Sequence, residues 1–299
     1  MRLLYFGLPI GALMLHREGH TLVGACISRT SMPGMRRLRR LMAACKAPLL
    51  GRPDLTQPTV QALLADTRPD LAVSWFWTRR IPPEVIALAP QGGLNVHPSL
   101  LPRHRGPDPY FWTILNGETR TGVTVHKITS HYDEGPVVLQ RAVDVADGLD
   151  AWQLARRLDR PSLEALRDAL DGARRGTLSL DGVAQHEPDA TAAPRPSDDD
   201  CELRWDAPVA SVLRRVRAAS PEPGAFTAFG DATVVVLKAH ASAWKARGFD
   251  PGQVLFRDEG LTVVCADGAV VIDAARGDDL DAVVYGEAVG ALFPGVARV

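Results

Sequence analysis

Leu94 to Val96 reads as the end of a buried strand, followed by His97 and stopped at once by Pro98, with a second proline at Pro102. A strand alternates its side chains between two faces, so extended backbone as far as His97 puts Asn95 and His97 on the same side. Proline lacks a backbone donor and restricts the residue before it. The turn Pro98-Ser99-Leu100-Leu101-Pro102 therefore cannot continue the strand. An amide and a titratable imidazole are left together at a strand end. In open α/β sheets, ligands bind outside the carboxyl ends of the strands, so this pair is well placed for function.

The flanking pattern agrees with such a sheet. Leu3 to Phe6 reads as a strand, Ile10 to Glu18 as a helix and Thr21 to Ile27 as a second strand, the opening of a βαβ unit. Gly7 and Gly11 lack the full Gly-x-Gly-x-x-Gly of a dinucleotide site, and Gly7 is assigned to the turn. Further on, Thr56 to Asp66 and Pro82 to Leu88 read as helices around a strand at Leu71 to Phe76. A helix over Gly106 to Leu115 is followed by strands at Thr121 to Ile128 and Val137 to Val145, which leaves Asp133 in the loop between them. Leu149 to Arg175 is a long helical stretch with Leu154, Leu158, Leu163, Leu166 and Leu170 as its apolar face. Pro161 is expected to kink or split it.

Alanine, proline and threonine, then the run Asp198-Asp199-Asp200, mark the stretch from His186 to Asp200 as a linker. Beyond it, a helix over Pro208 to Ala219 precedes short β runs at Ala225 to Phe229, Thr233 to Ala239, Gly252 to Phe256, Leu261 to Cys265 and Ala269 to Ala274. With their glycine-rich turns, these suggest a small open barrel of the OB type. The expected organisation is an α/β, doubly wound, mostly parallel N-terminal domain over residues 1–185, a linker over 186–203 and an OB-like C-terminal domain over 204–299.

Composition narrows the partners. The chain has 299 residues, 46% hydrophobic, with a formal net charge of -1, which suits a globular protein of two domains and makes no general electrostatic case for nucleic acid. One local exception is the stretch from Arg29 to Arg52, where Arg36, Arg37, Arg39 and Arg40 cluster with no acidic residue. Leu38, Leu41 and Met42 at helical spacing would face the core there. The arginines are then either a solvated helix face or a contact for acceptor phosphates. Cys26, Cys45, Cys201 and Cys265 are widely spaced, so no zinc site or disulfide framework is indicated and no metal is expected. No leader and no apolar run of roughly 18 residues occurs, so no membrane partner is expected and the expected location is cytoplasmic.

The motif at the strand end extends further: Arg105-Gly106, Asn116-Gly117-Glu118, Thr121-Gly122-Val123-Thr124 and His131-Tyr132-Asp133-Glu134-Gly135 follow it in order. Together these resemble the active-site signature of formyltransferases that take a one-carbon unit from 10-formyltetrahydrofolate. Downstream, Arg217-Ala218, Pro221-Glu222-Pro223-Gly224-Ala225-Phe226 and Cys265-Ala266-Asp267-Gly268 resemble the C-terminal domain of methionyl-tRNA formyltransferase, so the likeness covers nearly the whole chain.

The resemblance implies that Asn95, His97 and Asp133 are catalytic and that 10-formyltetrahydrofolate is the co-substrate. It implies folate contacts from Ser99, Leu100, Leu101 and Pro102 and from the loop holding Thr129, Ser130, His131 and Tyr132. Trp75, Phe76 and Trp77 end a strand beside the expected folate pocket, and Phe76 and Trp77 are either core or the lining of a slot for the pterin ring. The chemistry suits these residue types. Formyl transfer to an amine passes through an oxyanion that needs preorganised donors, while one proton leaves the amine and another reaches the leaving nitrogen.

Ile27-Ser28-Arg29-Thr30-Ser31-Met32-Pro33-Gly34 replaces the longer basic loop of the tRNA enzymes. Gly106-Pro107-Asp108-Pro109-Tyr110-Phe111-Trp112 and Val125-His126 are closer to enzymes that formylate amino sugars or other small amines. A small-molecule amine, such as a nucleotide-linked amino sugar, is the favoured acceptor. Methionyl-tRNA is the alternative, and a hydrolase releasing formate from the same folate is a second.

Overall fold

The computed structural model describes residues 1–230, 232–277, 282–293 and 295–296. In chain order the elements are β1 (Arg2–Gly7), α1 (Pro9–Arg17), β2 (Thr21–Ile27), α2 (Met35–Ala44), β3 (Leu49–Gly51), α3 (Pro58–Ala65), β4 (Leu71–Trp75), α4 (Pro83–Ile86) and β5 (Gly93–His97). Then come α5 (Pro109–Leu115), β6 (Arg120–Lys127), β7 (Val137–Asp144), α6 (Ala151–Arg175), α7 (Asp198–Cys201) and α8 (Val209–Ala219). The chain continues through β8 (Ala225–Phe229), β9 (Ala232–Ala241), β10 (Val254–Arg257), β11 (Gly260–Cys265), β12 (Gly268–Gly277) and β13 (Val284–Tyr285).

Two compact units result. One comprises Met1–Pro107, Thr121–Val143 and Arg157–Ala192; the other comprises Asp108–Arg120, Asp144–Arg156 and Ala193–Val299. The first holds a seven-stranded sheet in the order β3-β2-β1-β4-β5-β6-β7. From β3 to β5 all neighbours are parallel, and β5 meets β6 antiparallel. Strands β1 and β4 are buried along nearly their whole length because both faces of a parallel sheet are covered. Leu4, Phe6, Cys26, Leu55, Leu64, Ala72, Ile81, Val85 and Ala89 form one core cluster there. At the edge, β7 alternates half-buried and exposed positions from Leu139 onward, as a strand with one wet face should.

The second unit is built on an all-antiparallel sheet in the order β10-β11-β12-β9-β8, with β13 on β12. Helix α8 packs on β9, and α5 packs on α8. The acid run Asp198-Asp199-Asp200, expected within the linker, forms the first turn of α7, where negative charge suits the helix dipole. Ser197 and Asp200 close a capping box around it.

One expectation changes. Helix α6 runs unbroken through Pro161, because Leu154, Leu158, Ala165, Leu166, Ala169 and Leu170 are all buried and their packing outweighs one lost backbone bond; Leu163 is only half-buried. In α2 the buried residues are Met35, Leu38 and Met42, with Leu41 half-buried, and Arg36, Arg37, Arg39 and Arg40 are exposed. All four cysteines are unpaired. Among the described residues, no helix is long and apolar enough to cross a membrane.

One buried bond ties α6 to the sheet. The Trp75 indole N–H donates to Ser162 Oγ at 2.8 Å, and Ser162 donates in turn to the Asp159 carbonyl at 2.6 Å. Removing the hydroxyl strands a buried indole donor, which costs about 1–3 kcal/mol. Ser162→Ala should lower the free energy of unfolding in urea by that amount. Trp75→Phe should cost less in the Ser162→Ala background than alone, and equal costs in both backgrounds would show that the pair is uncoupled.

Candidate active site

The change from parallel to antiparallel pairing at β5 is what assembles the site. Register places Asn95 opposite His126 and His97 opposite Thr124. Asn95 and His97 stand two residues apart on β5, and Thr124 and His126 do the same on β6, so four polar side chains come to adjacent positions. Their neighbours Leu94, Val96, Val123 and Val125 are buried apolar residues.

Asp133 enters from the loop between β6 and β7. Its backbone is left-handed, at φ 57°, a conformation in which Asp is one of the better tolerated residues. Two residues on, a Cβ at position 135 would collide with the Lys127 carbonyl oxygen, so the return of this loop requires Gly135. The Asp133 side chain is 11% exposed and that of His97 5%. Asp133 Oδ2 lies 3.5 Å from His97 Nδ1, and Oδ1 lies 3.5 Å from His126 Nε2. The Gly106 N–H donates to Oδ2 at 3.0 Å.

Partner atoms fix the tautomers of both imidazoles, since a carbonyl oxygen can only accept. His97 Nε2–H donates to the His104 carbonyl at 2.8 Å, and His126 Nδ1–H donates to the Lys127 carbonyl at 2.9 Å. A neutral His97 thus turns a bare Nδ1 toward Asp133, and a neutral His126 a bare Nε2. Asn95 Nδ2 donates to that His126 nitrogen at 3.1 Å. Burial pushes the His97 pKa below its ordinary value of 6.5, against the opposing pull of Asp133. Burial also acts to raise the Asp133 pKa, but the influences of His97, His126 and the Gly106 N–H exceed it and leave the carboxylate below its ordinary value.

The centre therefore sets a carboxylate whose ionised form is favoured against an imidazole whose neutral form burial favours. A proton added at His97 Nδ1 makes the two an ion pair whose gross attraction is on the order of 4 kcal/mol at an effective dielectric of about 20.

The turn after β5 is held from within. Ser99 Oγ donates to the Arg103 carbonyl at 2.6 Å, Thr124 Oγ1 to the Ser99 carbonyl at 2.7 Å, and the Leu101 N–H to Thr124 Oγ1 at 3.1 Å. Gln140 Nε2 adds bonds to the Leu101 carbonyl and Thr124 Oγ1. Ser99 and Leu101 are buried, while Leu100 and Pro102 keep partial exposure. Thr129, Ser130, His131 and Tyr132 form an exposed loop, with Tyr132 63% exposed and the Ser130 carbonyl accepting from Arg80 at 3.1 Å. Phe76 is half-buried with left-handed backbone, edge-on to Trp75 at 4.8 Å. Trp77 packs against the core cluster, edge-on to Phe6 at 5.7 Å, with the Arg79 guanidinium over its ring.

The structure thus brings Asn95, His97 and Asp133 together and adds His126, which sequence reasoning had noted only as a hint about the acceptor. Its signal was the alternation in β6, where Thr124 and His126 interrupt Val123 and Val125 on the opposite face.

Two domain families match the chain. The formyl transferase domain matches residues 34–170, and the formyl transferase C-terminal domain matches residues 196–283. HypX of Aquifex aeolicus, solved in complex with tetrahydrofolic acid, shares 24% identity at a TM-score of 0.68 over 100% of this chain and 48% of that one. The chain spans about half the length of HypX. An N-formyltransferase of Helicobacter canadensis, solved with folinic acid and dTDP-3-aminofucose, has 12% identity and a TM-score of 0.68 over 91% of this chain and 98% of that one. Glycinamide ribonucleotide transformylase 1 of Symbiobacterium toebii has 25% identity and a TM-score of 0.51 over 62% of this chain and 93% of that one. With both domains matched in order along its length, the chain belongs to the formyl transferase family.

Proposed function

We propose that the protein transfers the formyl group of 10-formyltetrahydrofolate to the primary amine of a small-molecule acceptor, with a nucleotide-linked amino sugar as the favoured class. The observation that carries this reading is the largely buried cluster of His97, His126 and Asp133 beside the Asn95 amide. The acceptor class is supported by the Helicobacter canadensis N-formyltransferase, which was solved with dTDP-3-aminofucose.

The amine nitrogen attacks the formyl carbon, and the carbonyl oxygen becomes an oxyanion. The amide N–H of Asn95 that is not given to His126 is a fixed donor for it, which costs no reorganisation as charge develops. The attacking nitrogen then gives up a proton, which the Asp133 and His97 pair takes, His97 receiving it at Nδ1 against the carboxylate. The bond from carbon to N10 of the folate breaks, and the same proton goes to N10. One proton enters and one leaves, so His97 ends as it began.

His97→Ala and Asp133→Asn should each lower kcat by about 10²–10⁴-fold while the far-UV spectrum and cooperative melt are retained. Turnover unchanged in either variant would refute the relay. The relay must start without its proton, so kcat/KM should fall on the acid side with an apparent pKa below 6.5. Stability has the same sign: unfolded His97 binds the proton more readily than the folded residue, so its contribution is present above pH 6.5 and is lost as pH falls below that value. An acid limb centred at or above 6.5 would assign the titration to another group.

The acceptor is tested by supplying 10-formyltetrahydrofolate with nucleotide-linked amino sugars, with methionyl-tRNA or with no acceptor, and following tetrahydrofolate release. Release dependent on an amino sugar is the expected result. Release with tRNA alone would replace the acceptor class, and release without acceptor would make the enzyme a hydrolase.

A further inference from the structure

The segment from Val183 to Ala192, most of which reads in sequence as linker, lies along both sides of the catalytic cluster. Val183 exchanges two backbone bonds with Val137, each of 2.8 Å, which starts the segment beside β7. Two residues on, Gln185 Nε2 donates to the carbonyls of Asp133 at 2.7 Å and Gly135 at 2.8 Å, spanning the loop that presents the carboxylate. Its Oε1 accepts from Arg105 Nε and Nη2 at 3.0 and 2.8 Å, and Arg105 is in turn paired with Glu187 at 2.7 Å. Both amide hydrogens and the amide oxygen of Gln185 are thus committed, which locks the side chain in one orientation.

At the far end of the segment, Thr191 engages the other side of the cluster. Its Oγ1 accepts from the His104 N–H at 2.8 Å, its carbonyl accepts from the Arg105 N–H at 2.8 Å, and its own N–H donates to the Pro102 carbonyl at 3.2 Å. These three bonds fix residues 102–105, including His104, whose backbone is left-handed at φ 58°. The His104 carbonyl is the group that takes His97 Nε2–H, and the Gly106 N–H that follows is the donor to Asp133 Oδ2.

We propose that Gln185 and Thr191 are positioning residues for formyl transfer: Gln185 sets the Asp133 loop through its backbone, and Thr191 sets the His104 carbonyl that keeps His97 in the Nε2–H tautomer with Nδ1 free to take the proton. This rests on the transfer reading given above. Neither side chain touches His97 or the Asp133 carboxylate, so each acts through a group already placed. The titratable groups facing His97 are Asp133 from the loop, His126 from β6 and His104 from the turn.

Thr191→Val keeps the shape of the side chain and removes the acceptor for the His104 N–H, and Thr191→Ser restores it. Thr191→Val and Gln185→Ala should each lower kcat by up to about 100-fold with KM for 10-formyltetrahydrofolate within about twofold of wild type, the pattern of a misplaced reacting group. Thr191→Ser should recover most of the rate. In the His97→Ala background, Thr191→Val should add little further loss, since its route of action is already gone.

The ¹⁵N shifts of His97 report the tautomer without turnover. They should show Nε2–H in the wild type and a mixture of tautomers in Thr191→Val. A Thr191→Val enzyme with unchanged kcat and an unchanged His97 tautomer would overturn the proposal, as would a rate loss of the same size in the His97→Ala background. If no acceptor supports turnover in the wild type while the His97 tautomer still shifts in Thr191→Val, the transfer reading fails and the positioning role stands.

Discussion

A carboxylate turned toward two imidazole lone pairs in a largely buried space is the interaction on which the rest of this centre depends. Left alone it is unfavourable, because burial penalises the charge of Asp133 and neither facing nitrogen can donate to it in its neutral state. The fold tolerates it by fixing both imidazoles from behind, through the His104 and Lys127 carbonyls, and by giving the carboxylate the Gly106 N–H. In the proposed reaction such a site takes up a single mobile proton and becomes an ion pair at the moment that proton is handed over, which is the differential stabilisation that catalysis requires.

The sheet topology makes this placement possible. In a purely parallel sheet the strand next to β5 would follow a crossover helix and run in the same direction. Here β6 runs back antiparallel, so Asn95 meets His126 in direct register and the loop after β6 returns across the end of β5. The centre therefore draws on three pieces of chain close in sequence: β5 with its turn, β6, and the loop before β7. The 183–192 segment comes from far away in sequence, and on the proposal above it enters as support.

Much of this was legible before any coordinates. Strands β1, β2 and β4 and the helices between them announce themselves by short apolar runs and turn residues, and Pro98 marks the end of β5 as firmly as any residue can. Local pattern reads less well where distant packing decides. Pro161 argues for a broken helix, yet the buried leucines and alanines on either side hold α6 in one piece. His126 was half-visible, because its meaning depends on a strand register that sequence does not print. Gln185 was invisible for a different reason: a polar residue at the edge of the expected linker carries no local pattern, and its partners are two backbone carbonyls and a guanidinium far off along the chain.

Exposure within the cluster sets the order in which an incoming amine would meet these groups. His97 and His126 are buried, whereas Asn95 and Asp133 keep partial access and the 129–132 loop beside them is open to solvent. An acceptor arriving from that side would reach the Asp133 carboxylate and the Asn95 amide first, with His97 Nδ1 3.5 Å behind the carboxylate. In the proposed reaction the proton then moves inward, away from water, and the leaving nitrogen must draw it back out by the same short path. A buried imidazole with a lowered pKa suits that return step, since it holds the proton weakly enough to release it. On the proposed reaction, depth, tautomer and pKa all serve one requirement, that the site take a proton and promptly give it up.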